Sequence, residues 1–504
     1  MKKVVLSAMA LMFGAIMVAQ NDPITDTSGD TSPDLIPVAN LSPDPLANTG
    51  KSVQFGDGHK VRVRQAGSSQ SANTVQDNGS MLGGNLARIM QTGAVGPNSG
   101  VANAAEVLQS GEANQSTTVQ EGDENWAITR QGQKAVPGAS TSTGNKAKIR
   151  QGTGQQAESN YAAIDQDGNY NQASTLQTYD NNDAWTQQVG NENKSKVMQN
   201  AGPNGTDGHS ASVDQQGDRN ESFVTQSGLG GRNTATLLQQ GDDNKGKQYQ
   251  TTDALMSNAG NRAGMQQGAL DQSWSLLPLT GALLTDVGGI DPGNVPIYVS
   301  SLESFGAVGF QIQAGHENGA DMVQAGGSVG DSNYGEQDQS GGHNDAAMVQ
   351  GHTGAGGNNY AKQEQIGYGN YAGLGQSGSG FKALQTQDGA DNYALSSQRG
   401  EGHILNVHQR GDNNYATTAQ AGLNNRVLVV QRDGQSYTVE QNLNLAGGPA
   451  HDLGGGGNQV DVLQLGPNGD FSTDGIDCYF DAQLDPTMDY TVPGFDLDVI
   501  CPGC

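Results

Sequence analysis

Glutamine returns every eleven residues along much of this chain, and that period limits the possible folds more than any other feature. Gln365, Gln376, Gln387, Gln398, Gln409, Gln420 and Gln431 are each eleven apart, and Gly367, Gly378, Gly389, Gly400, Gly411 and Gly422 follow the first six by two residues. Earlier in the chain Gln166, Gln177, Gln188 and Gln199 follow Asn160, Asn171, Asn182 and Asn193 with the same spacing. With Asn as position 0, the unit has Ala at +2, Gln at +6 and Gly at +8. About 28 such units run between His59 and Gln464. A short unit copied this often cannot bury a face alone and gains order by stacking on its neighbours.

Eleven residues also fit three turns of an α-helix, which would give a right-handed coiled coil. The punctuation excludes it. Gly-rich breaks such as QGDRN (216–220), QGDDN (240–244) and RGDNN (410–414) would weaken a helix in every third turn, and they are turn chemistry instead. Each unit therefore reads as seven residues of strand, N-x-A-x-x-x-Q, and four of turn. In a strand, positions 0, +2, +4 and +6 share one face. That face is expected inside, with Ala leaving room for an opposing sheet and a variable residue at +4: Ile164, Val197, Val224, Leu237, Met322 or Val429, and often Thr. Identical amides in adjacent coils are expected to hydrogen-bond along the stack, meeting the polar needs of a buried face. The expected ladder also includes Gln215, Gln226, Asn220, Asn233, Asn359, Asn370, Asn392 and Asn414. Outward, Tyr recurs at +1 (Tyr161, Tyr334, Tyr360, Tyr371, Tyr393, Tyr415), where the rings are expected to pack along the sheet surface. Position +5 alternates in character, as Asp165, Leu176, Gln187 and Met198, so one outer face is expected to be the more apolar if successive units lie on opposite sheets.

Without the repeat the composition would read as disorder. Only 34% of residues are hydrophobic and 5% aromatic, against 74 glycines, too little apolar burial to offset the entropy of ordering an ordinary core. The net charge of −27 argues against a nucleic-acid partner. No cofactor is expected, beyond weak, non-specific calcium binding at acidic turns. No catalytic constellation stands out: there is no HExxH motif, and His59, His209 and His403 simply replace Asn at position 0. An enzyme is therefore not expected.

The parts outside the repeat divide as follows. Residues 1–19 combine Lys2 and Lys3 with an apolar stretch and small residues, which predicts a secretory signal peptide. No later apolar run is long enough for a transmembrane helix. Residues 20–56 read as a flexible Pro/Asp/Ser-rich leader, 57–268 and 303–466 as the two repeat blocks, and 269–302 as a non-repeat apolar insertion. The segments 94–102, 134–144 and 446–457 read as loops swelling at turns. The tail 467–504 holds Cys478, Cys501 and Cys504, candidates for a disulfide that staples or caps the end.

These residues resemble the curlin repeat of curli-type extracellular fibre subunits. The segment 215–244 carries the pattern as Gln215, Gly217, Asn220, Ser222, Gln226 and Gly228, and the resemblance spans roughly 57–268 and 303–466. It implies an all-β solenoid of two-strand coils and paired parallel sheets. It further implies a subunit or nucleator of amyloid-like fibres in biofilm matrix and adhesion, with curli-type outer-membrane secretion and nucleation proteins as partners. The alternative is a capped, monomeric β-solenoid adhesin or ligand-binding rod at the cell surface.

Overall fold

The computed structural model describes residues 48–466, apart from 68, 79–82, 93–102, 133–141, 153–156, 203–207, 230, 253–258, 269–303, 327–331, 352–356 and 442–455. The signal peptide, most of the leader, the 269–302 insertion and the tail with Cys478, Cys501 and Cys504 lie outside the described residues, as do most of the three expected loop swellings.

The architecture is an all-β solenoid of two parallel sheets, with no helix among the described residues. Successive strands alternate between the sheets, so strand Tyr161–Asp167 pairs with Asp183–Val189 while Gln172–Thr178, between them, pairs in the other sheet with Lys194–Ala201. One sheet has 15 strands; the other has 16, including the two-residue strand Ser304–Phe305. Fifteen rungs per sheet at ~4.8 Å make a rod roughly 65–70 Å long. Asp165 and Gln187 fall on the 16-stranded sheet, and Leu176 and Met198 on the other.

Two boundaries differ from the sequence reading. The leader ends earlier than residue 56, because Thr49–Phe55 already forms the first rung and pairs residue for residue with Ser71–Asp77. That unit has Gly50 in place of Ala at +2. The strands also begin at +1 rather than at position 0, as Tyr161–Asp167 and Gln172–Thr178 show. The Asn closes the turn instead, because the residue before it takes a left-handed backbone (Ser159 at φ 57°, Tyr170 at φ 57°) and breaks the extended run.

Glycine at +8 has a close-approach reason. Gly168, Gly190 and Gly217 lie above one another at positive φ, and a Cβ on either of the first two would strike the carbonyl of the glycine in the next rung.

Between the sheets, alanines at +2 and the residues at +4 fill the core. The two sheets trade volume at +4: Thr129 and Ile149, Ile164 and Thr175, Thr186 and Val197 are successive pairs, all buried. From Leu237 onward the trade becomes extreme. Leu237, Met265, Met322, Met348 and Leu374 supply all the bulk from one sheet, while the other offers Gln248, Gln311, Gln337, Gln363 and Gln385 at +4. Gly246, Gly309 and Gly335 replace Ala at +2 there, since a Cβ on any of them would press into Leu237 or a methionine sulfur.

Candidate functional site

The chemistry of this molecule is concentrated in columns that run the length of the rod. Gln at +6 forms two of them, one per sheet. In one sheet Gln166 Nε2 donates to Gln188 Oε1 (2.8 Å), Gln188 to Gln215 (2.8 Å), and, farther along, Gln376 to Gln398 (2.9 Å) and Gln398 to Gln420 (3.0 Å). In the other Gln177 donates to Gln199 (2.9 Å) and Gln199 to Gln226 (2.9 Å). Gln365, Gln387, Gln409 and Gln431 continue that column, ending on Gln464. Neither column is interrupted, from Gln54 to Gln441 in the first and from Gln65 to Gln464 in the second. Nearly every amide also crosses the core, as Gln177 Nε2 does to Tyr161 O (2.7 Å). That second bond needs a donor, so it sets the amide's orientation: every Nε2 points toward the C-terminal end of the rod.

Asn at position 0 forms a second pair of columns with the opposite sense. Asn160 Oδ1 accepts from Asn182 N and Nδ2 (both 2.9 Å), and Asn182 Nδ2 returns to Thr178 O (3.0 Å). Asn171, Asn193 and Asn220 repeat this in the other sheet through backbone N–H donation to Oδ1, and Asn370, Asn392 and Asn414 do so near the C-terminal end. These columns admit other residues. Phe381 N bonds to Asn359 Oδ1 (3.1 Å), and Phe381 accepts nothing in return from its side chain. Asn233 N donates to His209 Nδ1 (3.3 Å), and Asn233 Oδ1 accepts from Asn261 N.

Two of the histidines at position 0, His59 and His403, copy asparagine atom for atom, and His209 copies its acceptor through Nδ1. Nδ1 of His59 and His403 accepts the backbone N–H of Asn85 and Asn425 (3.1 Å each), as Oδ1 does elsewhere, and Nε2 donates to the carbonyl four residues back (2.8 Å each), as Nδ2 does. The role requires a neutral ring. Burial pushes the His209 imidazole down to about 4.

The outer faces differ in charge. On the 15-stranded sheet, strand Lys60–Ala66 projects Lys60, Arg62 and Arg64 outward, and strand Lys146–Gln151 projects Lys146, Lys148 and Arg150. Lys194 and Lys196, then Lys245 and Lys247, follow in later rungs of that sheet. Glu221 stands between two of them and ion-pairs with Lys194 (3.5 Å) and Lys245 (3.8 Å). The other sheet's outer face carries Glu106, Asp165, Asp183 and Asp214 over the same rungs. Burial holds the carboxyls of Asp165 and Asp214 above the usual range. Nearer the C-terminal end the tyrosines at +1 stack: Tyr334 on Tyr360 (4.9 Å between centroids), Tyr371 on Tyr393 (5.0 Å) and Tyr393 on Tyr415 (4.8 Å). Among the described residues no three His, Cys, Asp or Glu side chains cluster to hold a metal ion, and no helix is long and apolar enough to cross a membrane.

The spacing of Gln, Gly and Asn within these rungs has a counterpart among known families. The model of the curlin associated repeat matches residues 206–241 and 404–432. Those two stretches are curlin associated repeats. Both matched stretches lie within the solenoid and include Gln215, Gln226, Gln409 and Gln431. No curated protein matches the chain. A third glutamine column, at +4, Gln248 to Gln311 to Gln337 to Gln363 to Gln385, was not anticipated from sequence. Its signal was a Q-x-Q doublet, as at 248–250, 311–313, 337–339, 363–365 and 385–387.

Proposed function

We propose that this curlin-repeat chain is an extracellular structural protein that stacks end to end into curli-like fibres, or nucleates them. The ends of its amide columns, open among the described residues, carry this reading. At the N-terminal end Gln54 and Gln65 each donate onward to Gln76 and Gln91, so their Oε1 atoms face outward as acceptors. At the C-terminal end Gln441 and Gln464 accept from Gln420 and Gln431, so their amides are the last donors. One molecule's last rung thus complements the next molecule's first, along with the backbone of the edge strands, which has no further strand beside it among the described residues. Neighbouring rungs already show the chemistry of such a junction. The role is structural rather than catalytic. Secretion through an outer-membrane pore and a place in biofilm matrix and adhesion belong to the same reading.

The test is seeded growth of purified mature protein, followed by amyloid-dye fluorescence and fibre diffraction. Growth with a ~4.8 Å meridional spacing is expected, and Gln54→Leu/Gln65→Leu seeds should elongate at least several-fold more slowly. A chain that stays monomeric for days under seeding would instead be the capped rod at the cell surface.

A further inference from the structure

One column of the 15-stranded sheet has a spacing that its amide chemistry does not require. Strand register places Lys148, Ser174, Lys196, Phe223, Lys247 and Phe310 in a single outward file at +3. Lysine therefore recurs on every second rung, a pitch of roughly 9–10 Å at the parallel-strand spacing. Ser174 stands between the first two lysines, Phe223 between the second and third, and Phe310 beyond the last. Lys196 and Lys247 lie 5.7 and 6.0 Å from the Phe223 ring, and Lys247 also sits 4.4 Å over Tyr249 and 5.9 Å from Phe310. The file contains no carboxylate across these six rungs, in a chain of net charge −27.

We infer that this file binds a linear acidic polysaccharide with one carboxylate per disaccharide. Such a polymer, extended along the rod, presents its charges two sugars apart, close to the lysine pitch, and offers an apolar C–H face of the intervening sugar to a ring such as Phe223. A nucleic acid fits less well. It carries a phosphate on every nucleotide, closer together than these lysines. The surface lies on the side of the rod, away from its ends, so binding does not depend on whether molecules stack.

The test measures binding of hyaluronan oligosaccharides to the full chain at low and at physiological salt, with neutral dextran and single-stranded DNA as comparison probes. Hyaluronan should bind and dextran should not. Lys148→Gln/Lys196→Gln/Lys247→Gln should weaken hyaluronan binding at least ten-fold. A charge-conserving pair, Lys196→Ser with Ser174→Lys, moves one lysine by a single rung and should weaken it nearly as much. Amide hydrogen exchange at the Gln177 and Gln199 rungs reports that the solenoid is intact in each variant. Full binding by the register-shifted pair would reduce the file to unspecific charge and overturn the proposal. Absence of hyaluronan binding, or tighter binding of DNA, would overturn it as well.

Discussion

The glutamine and asparagine columns use the same functional group, yet one tolerates no exception and the other tolerates several. Every described rung with a residue at +6 has Gln there, joined without a gap from Gln54 to Gln441 and from Gln65 to Gln464. At position 0 the chain accepts His59, Gln70, His209, His403, Ala307, Phe381 and Gln435. Surroundings explain the difference. A glutamine side chain lies between two sheets, where it must both pass a hydrogen bond along the column and tie the facing strand, and water cannot replace either bond. An asparagine sits at the mouth of a turn, where its main task is to accept one backbone N–H, and another acceptor or a ring that fills the space can stand in.

Breaking the glutamine column should have the largest effect. Gln188→Leu leaves Gln166 without its acceptor and removes the donors to Gln215 Oε1 and Gln172 O, for a local loss of about 3 kcal/mol or more. Because contacts in a stacked repeat run mainly between neighbours, hydrogen exchange should rise around that rung and leave distant rungs unchanged.

The asparagine column should give way less. Asn193→Ala deletes the acceptor for Asn220 N and the donor to Gly217 O, a cost of about 1–2 kcal/mol by analogy with other capping side chains. Asn193→His should recover most of that loss at pH 8. The same exchange measurement reads both variants, and a histidine no better than alanine would refute the atom-for-atom equivalence.

The equivalence also has a pH signature. His209 titrates near 6.5 when unfolded and at about 4 in the fold, so the unfolded chain binds the extra proton first. Its contribution is complete above about pH 6.5 and is lost as pH falls toward 4, by roughly 3 kcal/mol at ~1.4 kcal/mol per unit. His209→Asn should remove this acid-sensitive share, seen as a smaller drop in local protection between pH 7 and pH 4.5 than in the parent chain.

A comparable effect is expected in the core beside the columns. Gly309→Ala forces a methyl against the sulfurs of Met265 and Met322 and should cost about 1–3 kcal/mol. Met322→Val in the same chain should return part of it, read as a shift in thermal midpoint.

The eleven-residue period makes the strands and the two-strand coil legible, because a column of identical side chains needs identical spacing. Position +4 is not legible in the same way. Met322 and Gln337 make sense only as partners across the core, and a single strand's pattern holds no record of what faces it. The first rung escaped notice because Gly50 replaces the alanine that marks the unit. The lysine file was hidden for another reason: Lys148, Lys196 and Lys247 are far apart in sequence, and they line up only once alternate strands are assigned to separate sheets.

The uniform direction of the Gln amides has a consequence for how errors are detected. Turning over a single side chain, Gln199 for example, would set its oxygen against the oxygen of Gln226 and its nitrogen against that of Gln177. The whole file therefore behaves like a compass needle whose heading is common to every rung, and a molecule arriving upside down at either tip would be refused by like atoms meeting like.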